Sequence, residues 1–154
     1  MLLLLYSLKD SRMSDFLEQL AAGLKNAAAK PNVLSYVPNS PTHEKFHRSD
    51  KVGKILRGGN RSGKSVAGAV ETIWRAMGRH PYQEVHPYPT RHRIVTVDKD
   101  ACIEQIIKPL LKQWTPNSEL INGSWDDSYK ASGKVLTLRN GSTIELKTHQ
   151  QETE

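Results

Sequence analysis

Apolar residues recur along this chain with two periods. Val66, Ala69, Val70, Ile73, Trp74 and Met77 follow the i, i+3, i+4, i+7 spacing of one buried helical stripe. Gly78 and then Pro81 stop that helix. Ile103, Ile106, Ile107, Leu110, Leu111 and Trp114 form a second stripe, and Pro109 within it predicts a kink. Leu136, Leu138, Ile144 and Leu146 alternate on either side of Asn140-Gly141, so 134–148 predicts a hairpin with a two-residue turn. Short apolar runs at 54–57 and 93–97 predict strands. Asp98 or Asp100 is placed to cap the helix that follows the second strand.

The earlier part of the chain is less regular. Ser14 predicts the cap of a narrow amphipathic helix running to Ala29, downstream of an apolar MLLLLY lead-in. Residues 31–41 hold three prolines and predict an extended linker, and Ser40-Pro41 opens a short helix through His47. The order strand, glycine loop, helix, strand, helix predicts an α/β fold with a largely parallel sheet and an added antiparallel hairpin. Only three or four strands are visible, so the chain reads as part of such a domain.

Composition narrows the class. The chain has 154 residues, of which 37% are hydrophobic, and a mean hydropathy of −0.57. No run approaches the ~18 apolar residues of a membrane span, and the expectation is a soluble chain with no membrane partner. A lone cysteine, Cys102, cannot form an internal disulfide, which favours a reducing compartment. The net charge is +6, and 43–65 holds seven basic residues against two acidic ones. So local a basic focus suits a polyphosphate partner, either nucleic acid or nucleotide. A solvated loop explains the charge equally well.

Within that basic stretch, Gly58 to Ser65 reads GGNRSGKS and matches G-x-x-x-x-G-K-[ST] at every position. A polyphosphate is a dense anion that needs many donors at close range. Glycines at 58, 59 and 63 let the backbone curl so that successive amides point inward. The helix that opens here adds the positive end of its dipole. Lys64 would bring a point charge to the β- and γ-phosphates, and Ser65 a hydroxyl to Mg²⁺. Asn60, Arg61 and Ser62 form the crown, from which Arg61 would reach the terminal phosphate. The alternative is a glycine-rich turn with an incidental lysine.

Other chemistry competes. His43-Glu44-Lys45-Phe46-His47 is a formal H-E-x-x-H zinc-protease match. It lacks the downstream histidine of the extended form, and Glu71 is the one acidic third ligand at a plausible distance. His80, His86, His92 and Cys102 lie mostly in a proline-rich loop and read as solvated. Asp98 closes a hydrophobic strand like a Mg²⁺-binding carboxylate, although helix capping explains it more simply.

Taken together, the run from Tyr36 to Tyr82 resembles the start of the ATPase domain of phage terminase large subunits. The resemblance rests on the proline-rich approach, the short helix ending in Phe46-His47, the basic strand, GGNRSGKS and the helix ending in GRHPY. It extends less specifically to Glu154. It implies an incomplete P-loop NTPase, with 1–35 a helical arm and linker and 36–154 the first part of the ATPase domain. ATP and Mg²⁺ would be the cofactors, and Lys64 and Arg61 would carry the phosphoryl-transfer chemistry. Residues 58–65 would hold the phosphates, with Tyr36 and His43 beside the adenine. His43 stands where the family commonly has glutamine. The Walker B acids, the coupling motif and the nuclease domain would lie beyond Glu154, so the chain alone should hydrolyse little ATP. Implied partners are double-stranded DNA, a portal protein, a small terminase subunit and further copies in a ring, in the host cytoplasm. Another P-loop enzyme such as a nucleotide kinase, a zinc protease and an inert truncated fragment are the alternatives.

Overall fold

The computed structural model describes residues 31–87 and 89–149. The helix expected from Ser14 and the lead-in before it lie outside them. Helix α1 spans Pro41–Arg48 and starts as expected, with the Ser40 hydroxyl accepting from the His43 amide at 3.3 Å and proline in the first turn. Helix α2, Lys64–Met77, follows the glycine loop and ends at Gly78, whose φ of 69° supplies the left-handed cap.

Strand β1, Arg91–Thr96, leads into a π-helical stretch, Lys99–Ile107, and then helix α3, Lys108–Trp114. One kinked helix was expected here. Instead the helix continues and changes type, and Pro109 falls in the first turn of α3, directly after the π stretch. The wider π turns upstream relieve the crowding that the proline ring would impose on the carbonyl four residues back. Asp98 is a cap, its carboxylate accepting from the Ala101 amide at 2.5 Å.

Short 3₁₀ turns at Asn117–Glu119 and Ile121–Gly123 lead to helix α4, Trp125–Ser128. Three strands follow: β2 at Tyr129–Lys130, β3 at Val135–Thr137 and β4 at Thr143–Thr148. The hairpin is present, but its connection is 138–142 rather than Asn140-Gly141 alone. Leu138 bonds back to Ser142 at 2.8 Å, and Asn140 donates to the Ala76 carbonyl at 2.8 Å. The loop is thus fastened to the end of α2, a tertiary contact that local turn preference does not encode.

The described sheet is mixed rather than largely parallel as expected: in the order β1-β4-β3-β2, β1 runs parallel to β4 and the other two pairs are antiparallel, because the hairpin supplies most of the strands. The chain is therefore a mixed α/β fold with a four-stranded sheet. Alternation along β4 sends Ile144, Leu146 and Thr148 inward. Ile144 and Leu146 join Leu136, Leu138, Ile73, Val70, Ile103 and Leu111 in a core from which solvent is excluded. Burial of each such side chain contributes about 1.5–3 kcal/mol. The apolar stripe of α2 faces this core, which fixes how its N-terminus and the glycine loop are presented.

Two further features differ from the sequence reading. Residues 54–57 are not a strand. Ile55 is 82% exposed, and among the described residues nothing pairs with this segment. An extended segment becomes a strand only when a neighbour takes its amides and carbonyls. Second, Val33, inside the expected linker, is buried and bonds through its amide to the Trp114 carbonyl at 3.0 Å.

Candidate functional site

The sheet and α2 place the glycine loop at the exposed N-terminal end of a 14-residue helix. Gly63 occupies the cap position with φ of 83°, and no side chain caps the helix. The amides of Lys64, Ser65 and Val66 are first-turn donors with no intrahelical partner. The first turn holds no acidic residue, so nothing offsets the positive dipole end. Arg61 sits at the crown with φ of 61°, a left-handed conformation costing a non-glycine residue roughly 1–2 kcal/mol. Lys64 curls into the loop: its Nζ donates to the Gly58 carbonyl at 2.7 Å, the Gly59 carbonyl at 2.5 Å and Ser62 Oγ at 3.2 Å. Those partners are neutral, and an anionic phosphate oxygen would be a stronger one for an ammonium.

Two cavities flank the loop. One, of about 440 Å³, lies between residues 61–66 and Gln105, Ile106, Pro109, Leu110 and Gln113. The other, of about 400 Å³, is lined by Asn39, Ser40, Thr42, His43, Arg57, Gly58 and Ser62. Of the two residues expected beside a base, His43 lines this second cavity and Tyr36 does not. Tyr36 instead packs edge-on against Trp74, Trp114 and His47. Gly63 is needed here for space as well as conformation. A Cβ on it would stand 2.6 Å from Asn39 Nδ2 and 3.2 Å from His43 Cε1. The loop, His43 and Asn39 are therefore in close mutual contact.

The H-E-x-x-H motif does not form a zinc site. His47 turns away from the cavity that His43 lines, and Glu44 pairs with Arg48 at 2.8 Å. The expectation that the loop histidines are solvated fails for His80, whose side chain is fully buried. His47 and His80 both meet Glu71, with His47 Nδ1 at 2.8 Å and His80 Nε2 at 2.9 Å from Glu71 Oε2. Glu71 Oε1 accepts from Lys54 Nζ at 3.0 Å and from Arg75 Nε at 2.9 Å. Trp74 stacks edge-on to both imidazoles, and its indole N–H donates to the Val33 carbonyl at 3.2 Å.

His47, Glu71 and His80 have the ligand types of a metal centre. Their hydrogen bonds argue for an ion-pair cluster instead. The Tyr82 amide donates to His80 Nδ1 at 3.2 Å, so the proton of the neutral ring is on Nε2 and points at Glu71. A metal on Nε2 would move that proton to Nδ1, against the incoming Tyr82 N–H. Two cations also already occupy Oε1. Burial raises the Glu71 pKa, but hydrogen bonds from His47, His80 and Lys54 outweigh it and hold the carboxyl far below the usual carboxylate range. Sequence reasoning named Glu71 only as a zinc ligand. The signal it missed is a carboxylate on the buried stripe of α2 between Val70 and Trp74, which requires buried cationic or N–H partners.

No family model, no curated protein and no solved structure matches this chain. No helix among the described residues is long and apolar enough to cross a membrane.

Proposed function

We propose that this chain is the ATP-binding portion of a DNA-packaging motor of the terminase large-subunit type, built on a P-loop NTPase fold. The observation that carries the reading is the GGNRSGKS loop at an uncapped helix N-terminus, with Lys64 curled into it and a cavity on either side. Backbone amides of 58–65 hold the phosphates, and Ser65 offers its hydroxyl to Mg²⁺. Lys64 leaves the Gly58 and Gly59 carbonyls for the β- and γ-phosphates. Arg61 stabilises the charge that develops on the transferred phosphoryl group. The cavity beside His43 receives the base.

In the complete motor, hydrolysis drives double-stranded DNA into a procapsid in the host cytoplasm, from a ring of copies docked on a portal and served by a small subunit. The basic stretch 43–65 supports a polyanionic partner. Asp98, the carboxylate that follows β1, is engaged as a helix cap rather than free to orient water, which supports low ATP turnover by this chain.

Isothermal titration calorimetry with Mg·ATP tests the reading. Saturable one-to-one binding, lost in Lys64→Ala, is expected. A folded native protein that takes up no heat from Mg·ATP, or a Lys64→Ala variant binding as tightly as native, would overturn it.

A further inference from the structure

The segment leading into the glycine loop is held in an unusual way. Residues 52–57 have no regular structure and little apolar anchorage: Val52 is fully exposed, Ile55 is 82% exposed, and Leu56 is half-buried but outside the core cluster. Among the described residues, no backbone hydrogen bond ties this segment to the sheet. Its one side-chain hydrogen bond to the rest of the fold, among the described residues, is from Lys54 Nζ to Glu71 Oε1, at 3.0 Å. The Lys54 side chain is only 11% exposed, and its ammonium also lies 5.5 Å from the centre of the Phe46 ring on α1. Lys54 therefore spans from the loop approach to the middle of the helix that the loop opens.

The far end of this tether is rigid. Glu71 is held by Arg75 on its own helix, by His47 on α1 and by His80 after α2. Gln83 braces the same cluster, accepting from Arg75 at 2.7 Å and donating to the His47 carbonyl at 2.6 Å. Only three residues separate Lys54 from Gly58, so fixing Lys54 confines the first glycine within ~14 Å of a known point.

We propose that Lys54, gripped by the Glu71 carboxylate, is a positioning residue for the nucleotide site: it sets the entry of the Gly58–Ser65 loop so that its amides converge on a polyphosphate. The proposal rests on the nucleotide reading of that loop. It assigns to the buried cluster a role in ligand binding rather than in folding alone. Lys54 does not touch the nucleotide. Removing it leaves Glu71 with Arg75, His47 and His80, so the cluster and the fold persist.

The test compares native protein with Lys54→Met, which keeps the stem and loses the charge, and Lys54→Arg, which restores a donor to Glu71. The heteronuclear proton–nitrogen NOE of amides 52–60 is recorded without ligand, amide hydrogen exchange of α2 checks the fold, and Mg·ATP affinity is read by calorimetry well below each melting temperature. In Lys54→Met, the NOE over 52–60 should fall toward that of a flexible chain while the core of α2 stays protected from exchange. Its Kd for Mg·ATP should rise on the order of tenfold, and Lys54→Arg should recover both. A native-like NOE and affinity in Lys54→Met overturn the proposal, as does a Lys54→Arg variant no better than Lys54→Met. If α2 of Lys54→Met loses its protection, the lysine is a folding residue and the proposal fails. If native protein ignores Mg·ATP while Lys54→Met still loosens 52–60, the nucleotide reading fails and the tether stands.

Discussion

Glu71→Gln probes the buried cluster with almost no change in shape. The carboxylate accepts from four side chains, two at each oxygen. A glutamine has one carbonyl oxygen and one NH₂ group. With its oxygen toward Lys54 and Arg75, the NH₂ opposes the His80 Nε2–H donor, and His47 must turn its Nδ1 into an acceptor. With the amide turned over, the NH₂ opposes two cations. Either way at least one donor loses its acceptor, and the cations lose their counter-charge, in a site where Glu71 is only 11% exposed. A buried donor left unmatched costs about 1–3 kcal/mol, and breaking a buried ion pair about 3–5 kcal/mol. The expected loss is about 3–5 kcal/mol. With a urea m-value of about 1–3 kcal/mol per molar, the unfolding midpoint should fall by more than ~1 M at unchanged slope. Urea titration followed by far-ultraviolet circular dichroism reads this directly. A loss below ~1 kcal/mol with an unchanged slope would refute the picture of one carboxylate holding four partners.

Three further outcomes follow from the same geometry. The Glu71 carboxyl lies far below its ordinary value of 4.5 in the folded state, so its stabilisation is complete above that value and is lost as pH falls toward the folded one. The urea-midpoint gap between native and Glu71→Gln should therefore narrow progressively below about pH 4.5, and a constant gap from pH 7 to pH 3 would contradict this. Gly63→Ala places a Cβ 2.6 Å from Asn39 Nδ2 at φ of 83°, and should abolish Mg·ATP binding by calorimetry while costing the fold only about 1–3 kcal/mol. Ile73→Ala opens the centre of the core and should cost about 2–5 kcal/mol by urea denaturation, with nucleotide affinity retained below the unfolding midpoint.

Helices α1 and α2 were legible because their signals are local. The stripe from Val66 to Met77, its Gly78 stop and the Ser40-Pro41 start all act within a few residues, and the structure repeats them. The loop GGNRSGKS was legible for the same reason, since its glycines and the helix after it are contiguous. What was hidden depends on partners remote in sequence. Whether 54–57 is a strand depends on a neighbour for its backbone, and none is present among the described residues. The meeting of His47, Lys54, Glu71 and His80 spans four segments. H-E-x-x-H spacing pointed to the wrong pairing because α1 sends His43 toward the glycine loop and His47 toward Glu71. The split at Pro109 was half legible: the proline marked the disturbance, but not the change from π to α geometry.

The central claim is that the amides of the Gly58–Ser65 loop grip a polyphosphate. Amide nitrogen–proton correlation spectra recorded during a Mg·ATP titration test it residue by residue. The account predicts saturable shifts concentrated at Gly59 to Val66, the largest at Gly63, Lys64 and Ser65, and their loss in Lys64→Ala. A spectrum of folded protein in which those amides do not move, or in which the shifts gather around His47, Glu71 and His80 instead, would contradict it.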